Sequence, residues 1–178
     1  MIVLGILTAA LAFTAIWNGW IGYMPPVEDL QNPINRFATQ IYSADGKVIG
    51  TWNFNRENRV CVNYDDLAPS LVKALVATED VRFYDHSGID FIALSRAVVK
   101  RGILGNTSAG GGSTITQQLA KQLYSGTASS TMERLLQKPI EWVIAVKLER
   151  NYTKEEIIAL YLDYFDFLHN AVGIKTAA

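Results

Sequence analysis

The first 27 residues of the chain carry no charged side chain, and this limits what the segment can form more than any other feature. The stretch from Ile2 to Met24 is mostly apolar, with two tryptophans and a tyrosine near its far end. A helix of roughly 20 apolar residues spans a bilayer, and tryptophan and tyrosine favour its interface. A cleavable signal peptide is the alternative, but the basic first region and the small-residue cleavage site are missing. We therefore predict one transmembrane helix over residues 1–24.

The composition of the whole chain excludes several functions. The net charge of −1 at pH 7 gives no electrostatic basis for binding nucleic acid. The single cysteine, Cys61, excludes an internal disulfide and a multi-cysteine zinc site. Neither His86 nor His169 has companion ligands at metal-binding spacing, so we expect no metal on the histidines.

Beyond the anchor, the sequence predicts a linker, a β-hairpin and an α-helical domain. Pro25 and Pro26 stop the first helix and begin a polar linker over residues 25–37. Two short β-prone runs flank Asp45-Gly46, which is typical of a hairpin. Apolar residues at helical spacing follow from Pro69 onward. We place the main domain at residues 38–178.

Helix-boundary signals divide this domain further. Thr153 and Glu156 form the pattern of a capping box, and Ile157, Leu160 and Tyr161 share one face of the helix that follows. Pro139 predicts a kink or break in the helix that contains it. The predicted helices cover residues 69–78, 91–101, 113–124, 131–150 and the segment after Thr153.

A dense polar cluster occupies residues 79–88, where acids, a cation, a histidine and aromatic rings lie within ten residues. Glu79 comes at or just after the end of a predicted helix, where its carboxylate can turn into a cleft. It is a candidate general acid or base. Asp80, Arg82 and His86 could set the pKa of Glu79 or bind a charged substrate. The alternative is a helix end with satisfied ion pairs, and local chemistry alone does not separate the two.

A second polar cluster opens the helix predicted at residues 113–124. The preceding glycine-rich run lacks the lysine and the strand of a nucleotide-binding loop, so we exclude that function. Free N–H groups at a helix start can still meet an anion, and the amides and ammonium nearby suit a ligand with hydroxyls and phosphate. A solvated helix face is the alternative. The residues concerned are Ser113, Thr114, Gln117, Gln118 and Lys121.

Glu141 has unusually apolar neighbours for an acid, because Trp142, Val143 and Ile144 follow it directly. Lys138 precedes it by three residues, so an ordinary ion pair along the helix is the alternative to a functional role. Glu149 looks like an exposed helix acid.

Four segments, at residues 79–90, 111–118, 138–141 and 157–162, occur in one order along the chain. Together they resemble the peptidoglycan glycosyltransferase domain of class A penicillin-binding proteins and monofunctional cell-wall transglycosylases. The resemblance extends from about Ala38 to the C-terminus. It implies a mainly α, lysozyme-like glycosyltransferase domain behind a membrane anchor.

The resemblance also implies an activity. Such an enzyme polymerises lipid II into glycan strands by transfer from an undecaprenyl-pyrophosphate-linked chain to the 4-hydroxyl of the acceptor N-acetylglucosamine. It would work as a single-pass protein of the bacterial inner membrane, with its catalytic domain on the extracytoplasmic side. Other cell-wall synthesis proteins are the partners that this setting suggests.

By the same resemblance, Glu79 matches the general base, and Glu141 matches a second acid near the donor phosphates. A divalent cation, Mg²⁺ or Mn²⁺, is compatible with that region. Lys121 and Arg134 resemble the cations that neutralise the leaving pyrophosphate, and Gln118 is the best candidate for direct substrate contact. The expected substrate-binding residues are Asp80, Arg82, Phe83, His86, Ser113, Thr114, Gln117, Gln118, Lys121, Arg134 and Lys138.

Some positions depart from the family pattern. Gln137 replaces the usual arginine of the third motif, and Asp163 replaces the asparagine that ends the fourth. The family domain continues with further helices beyond residues 171–174, so we expect a C-terminally incomplete domain. Two rivals remain open: a lysozyme-like glycan hydrolase, which would also use two carboxylates, and a non-catalytic interaction module of the cell wall.

Overall fold

A computed structural model of the chain describes residues 2–21, 24–26, 39–52, 61–100, 112–124, 131–167 and 171–178. Most of the predicted linker, residues 27–37, and His169 lie outside these ranges. The helices are α1 Ile2–Trp17, α2 Pro69–Glu79, α3 Phe91–Val98, α4 Ile115–Tyr124, α5 Thr131–Asn151, α6 Lys154–Tyr164 and α7 Ile174–Ala177. The strands are β1 Thr39–Tyr42 and β2 Val48–Trp52.

The strands form the predicted hairpin, with β1 antiparallel to β2 and Thr39 opposite Trp52. Gly46 lies in the turn with φ +79°, a left-handed conformation that glycine adopts without a steric cost. Over the described residues, a mainly helical domain with a small two-stranded sheet confirms the predicted fold class in its general form and fits a lysozyme-like domain.

The N-terminal helix is shorter than the predicted anchor over residues 1–24. Helix α1 ends at Trp17 because Gly19 takes φ +73°. Gly19 N–H then donates to the Ile16 carbonyl at 3.0 Å and Trp20 N–H to the Ala15 carbonyl at 2.9 Å, which is a Schellman end. Within the described ranges, no helix combines the length and apolar character needed to cross a membrane.

Helix α1 contacts α5 through aromatic rings and cations. Phe13 stacks on Trp142 with ring centroids 6.1 Å apart. The Lys147 ammonium lies 5.0 Å from the Trp17 ring and donates to the Trp17 carbonyl at 3.2 Å, while the Arg150 guanidinium lies 4.9 Å from the same ring. Burial lowers the pKa of Lys147. A cation at a helix C-terminus is favourable because the helix dipole is negative there.

The core lies where α4, α5 and α6 meet. Helix α5 runs without interruption through Pro139, so of the predicted kink or break, the break does not occur. The capping box of α6 is confirmed, because Thr153 N–H donates to Glu156 at 2.7 Å and Glu156 N–H to Thr153 at 3.2 Å. The largest buried apolar and aromatic side chains of these helices are Ile115, Leu119, Ile144, Leu148, Ile157, Ile158 and Tyr161.

The loop between α2 and α3 lies directly on the backbone of α5. Gly88 has φ +94°, and a Cβ at this position would lie 2.9 Å from the Ala145 carbonyl carbon and oxygen. Real Cβ atoms do not approach backbone so closely, so only glycine fits here. The Gly88 carbonyl in turn accepts hydrogen bonds from Thr114 Oγ1 at 2.7 Å and Gln117 Nε2 at 3.2 Å.

Asp90 begins α3 as its N-cap. Its Oδ1 accepts from Ile92 N–H at 2.9 Å and Ala93 N–H at 3.0 Å, and its Oδ2 lies 3.4 Å from Arg82 Nε. Burial acts to raise the pKa of Asp90, but the backbone hydrogen bonds and the nearby cation Arg82 outweigh it, so the net pKa is lowered.

We predict that Gly88→Ala destabilises the protein by about 3 kcal/mol, because it combines a strained left-handed backbone with a clash against α5. Gly46→Ala is the matched control, since Gly46 is also left-handed but a Cβ there meets nothing within 4 Å. The control should cost only about 1 kcal/mol. Urea unfolding followed by circular dichroism measures both, and equal losses would contradict the close packing of Gly88.

We predict that Asp90→Asn lowers stability by about 1 kcal/mol at pH 6 and by less at pH 3. Asparagine keeps the cap, but the ion pair with Arg82 is lost. Because the folded-state pKa of Asp90 is lowered, its contribution is present above the unfolded pKa of about 3.9 and is lost as pH falls through the folded value. The urea midpoints of both proteins at the two pH values test this. A difference that stays the same at pH 3 would rule out this role for Asp90.

Candidate active site

Three side chains from three helices form a hydrogen-bonded chain at the surface. Glu79 is the last residue of α2 and is exposed, Gln118 lies on α4, and Tyr161 is a buried residue of α6. Gln118 Nε2 donates to Glu79 Oε2 at 3.0 Å, and the Tyr161 hydroxyl donates to Gln118 Oε1 at 3.1 Å. Burial and then the nearby charge of Glu79 raise the pKa of Tyr161 to about 12. Two residues that the sequence analysis singled out separately, Glu79 and Gln118, are therefore in direct contact.

Asp80 points the other way from its neighbour Glu79. Its side chain is buried, and Oδ2 lies 3.0 Å from His86 Nε2 and accepts from Ile115 N–H at 3.1 Å. His86 Nδ1 accepts from Gly88 N–H at 3.2 Å, so the hydrogen on the neutral ring is on Nε2, where it donates to Asp80. Asp80 and His86 therefore fix the loop and the start of α4, leaving Glu79 as the accessible acid.

Lys154 and Glu149 form an ion pair that contacts this loop through the His86 carbonyl. The sequence did not indicate this pair. Lys154 Nζ donates to Glu149 Oε1 at 2.8 Å and to the His86 carbonyl at 2.7 Å, and it lies 4.2 Å from the Phe83 ring. Thr116 Oγ1 also donates to Glu149, at 2.6 Å. The interpretation of Glu149 as an exposed acid is wrong, since its side chain is 5% exposed. The pair joins two helices across a turn, so no helical spacing reveals it.

Glu141 and Lys138 form the second polar group. Lys138 Nζ lies 2.6 Å from Glu141 Oε2, so the expected pair at i,i+3 is present, and the Glu141 side chain is only 3% exposed. Lys138 lines a cavity of about 480 Å³ between α3, α4 and α5, together with Ser113, Gln117 and apolar side chains of α3. An ammonium on the lining of a largely apolar cavity can bind an anion that is attached to an apolar group.

Helix α4 connects the two polar groups. Gln118 faces Glu79, while the adjacent Gln117 lines the cavity beside Lys138 and donates to the Gly88 carbonyl. The two acids of interest have different partners, Gln118 for Glu79 and Lys138 for Glu141. One helix thus presents an amide to each side of the candidate site.

The remaining predicted site residues have more varied positions. Phe83 is fully buried, and Thr114 is nearly so, which suits a structural contribution. Arg82 Nε is buried near Asp90, with no hydrogen-bond partner in the part of the chain described here. Lys121 is exposed on α4. Arg134 lies on α5, but its side chain is outside what the structure describes.

The unusual acid of the fourth motif has a structural partner. Asp163 is buried on α6 and its carboxylate accepts from Val62 N–H, at 3.1 Å to Oδ1 and 3.4 Å to Oδ2. This hydrogen bond from a backbone N–H to a side-chain carboxylate ties the segment before α2 to α6.

Comparison with known proteins gives the chain a family. Residues 45–178 match the family described as Transglycosylase. Penicillin-binding protein 1A of Escherichia coli (strain K12) is 37% identical over 155 residues, which are 87% of this chain and 17% of that protein. Penicillin-binding protein 1A of Haemophilus influenzae is 38% identical over 168 residues, or 94% of this chain and 18% of that protein.

A third relative gives the same result. Penicillin-binding protein 1A/1B of Bacillus subtilis (strain 168) is 34% identical over 180 aligned residues, covering 100% of this chain and 18% of that protein. The chain thus spans less than a fifth of the length of these curated relatives. The resemblance inferred from the four ordered motifs is confirmed, and with it the enzyme class of peptidoglycan glycosyltransferase. The chain belongs to the transglycosylase family, represented among its relatives by penicillin-binding proteins of the 1A type.

Proposed function

We propose that the chain extends peptidoglycan glycan strands from lipid II. The donor is a growing glycan on undecaprenyl pyrophosphate, and the acceptor is the 4-hydroxyl of the N-acetylglucosamine unit of lipid II. A new glycosidic bond forms at the donor sugar as its bond to pyrophosphate breaks. The acceptor hydroxyl loses its proton to the enzyme.

The exposed carboxylate of Glu79, held by the amide of Gln118, carries this proposal. A general base must come within hydrogen-bond reach of the proton that it removes. Glu79 is exposed at the end of α2, whereas the adjacent Asp80 is buried and bonded to His86 and Ile115. Glu79 is therefore the acid of this cluster that a sugar hydroxyl can approach.

We propose that the leaving pyrophosphate binds in the cavity that Lys138 lines. Departure of a diphosphate builds negative charge, and a fixed cation stabilises that charge most where water is excluded. Glu141 holds the Lys138 ammonium at 2.6 Å, so Lys138 is oriented before the substrate arrives. We assign Glu141 the role of positioning Lys138, and Lys121 and Arg134 the role of further cations for the pyrophosphate.

The divalent cation compatible with the resemblance has no ready-made set of three protein ligands among the described side chains. Across the described ranges, no group of three histidine, cysteine, aspartate or glutamate residues gathers around one point. The Glu141 carboxylate is already paired with Lys138. The proposed mechanism therefore contains no step through a metal.

The lipid on both substrates sets the location of the reaction. We propose that it takes place at the extracytoplasmic surface of the bacterial inner membrane, where a lipid-linked donor and acceptor meet the site. The partners are lipid II, the lipid-linked glycan and the bilayer that carries them, together with other cell-wall synthesis proteins.

We predict that Glu79→Gln lowers the rate of glycan polymerisation by at least about 100-fold, because the base is lost while the shape is kept. Labelled lipid II incubated with the detergent-solubilised chain measures polymer directly. Glu155→Gln is the matched control, since Glu155 is an exposed acid in the first turn of α6, and it should retain the parental rate.

Other outcomes favour the rivals. Cleavage of preformed glycan without polymer would support a lysozyme-like hydrolase. Binding of lipid II without turnover, by a chain extended to the full length of the family domain, would support a non-catalytic module. Full polymerisation by Glu79→Gln would refute the role of Glu79 as base.

A further inference from the structure

We propose that Tyr161 is a positioning residue for the reaction, which acts by fixing the orientation of the Gln118 amide against Glu79. This inference rests on the proposed function, in which Glu79 is the base. Tyr161 is 1% exposed, so it acts through Gln118 rather than by touching the substrate.

The direction of each hydrogen bond follows from the chemistry of the three groups. An ionised carboxylate only accepts, so the side of the amide that faces Glu79 must be its NH₂ group. This leaves the amide oxygen for Tyr161, whose hydroxyl must then be the donor. The opposite orientation would set the amide oxygen against the Glu79 carboxylate, two acceptors with no hydrogen between them. One amide thus couples the Tyr161 contact at 3.1 Å to the Glu79 contact at 3.0 Å.

The three groups differ in how firmly they are held. Glu79 is exposed and Gln118 half-buried, so neither is fixed by packing alone. Tyr161 belongs to the core between α4 and α6, and its ring lies 5.3 Å from that of Phe165. Its hydroxyl stays neutral and able to donate at physiological pH, because burial raises its pKa to about 12. Tyr161, the most firmly held of the three groups, is therefore the one that does not contact the base directly.

Removing the hydroxyl leaves the amide oxygen of Gln118 without its donor. The amide can then rotate, and some of its orientations present oxygen to Glu79. The carboxylate loses a neighbour that holds it in place, while every side chain at the surface of the site, Gln118 included, is retained. The expected effect is on the rate of the bound complex rather than on substrate binding.

We predict that Tyr161→Phe lowers kcat by about tenfold, as expected for loss of one hydrogen bond to the group that orients the base. The KM for lipid II should stay within about twofold. Tyr152→Phe is the matched control, because the Tyr152 hydroxyl is also buried but has no hydrogen-bond partner among the described residues. Its kcat should equal that of the parental chain.

A double-mutant cycle separates positioning from a general structural effect. If Tyr161 acts through Gln118, adding Tyr161→Phe to a Gln118→Ala chain should cause no further fall in kcat. An equal fall in both backgrounds would overturn the proposal, as would a parental kcat in Tyr161→Phe alone. Loss of activity in Glu79→Gln beside a parental rate in Tyr161→Phe would reject only this inference. A fully active Glu79→Gln would reject the proposed function itself.

A second substitution keeps the test decisive if Tyr161→Phe does not fold. A fluorinated tyrosine at position 161 retains the ring and hydroxyl but ionises at lower pH, and a phenolate cannot donate. The polymerisation rate should then fall with rising pH over a range where the parental rate does not. The same analogue at position 152 should give no such fall. A parental pH profile for the analogue at position 161 would overturn the proposal.

Discussion

The buried carboxylate of Asp80 is the interaction on which the rest of the site depends. An ionised group inside a protein is costly unless it is fully hydrogen-bonded, and Asp80 meets this need with Ile115 N–H and His86 Nε2. Ile115 is the first residue of α4 and His86 belongs to the loop after α2. The carboxylate therefore fixes where α4 starts relative to that loop. Gln118 lies one helical turn further along α4, so its distance to Glu79 is set by Asp80.

The loop after α2 is also held by contacts with α5 and α6. Lys154 donates to the His86 carbonyl, and Glu149 holds Lys154 in turn. Gly88 rests on the backbone of α5, with its carbonyl shared by Thr114 and Gln117. These contacts come from α4, α5 and α6, so the first two motifs form one hydrogen-bonded unit with Glu149 and Lys154. Such a buried network has a single arrangement in which every member is satisfied, and this explains why an exposed acid such as Glu79 can still have a defined place.

Local signals in the sequence predicted most of the helices and the hairpin, because caps, turns and periodicity act over a few residues. The capping box at Thr153 and the hairpin around Gly46 are examples. The length of α1 was not predicted, although Gly19 lies two residues after the last residue of the helix, where glycine commonly ends helices. For the site, motif order indicated Glu79 and Gln118. The Lys154–Glu149 pair and the use of the Tyr161 hydroxyl were not predictable, since both depend on how helices meet, and Tyr161 reads as an ordinary core residue.

The contact between α1 and α5 has a geometric consequence for the cavity. Helix α5 bears Lys138 at the cavity and, nine residues later, Lys147 at the end of α1. At a rise of 1.5 Å per residue, the two positions are separated by roughly 13 Å along an unbroken helix. Lys147 and Arg150 both lie against Trp17. The length of α5 between positions 138 and 147 therefore fixes how far Lys138 lies, along the axis of α5, from the C-terminal end of α1.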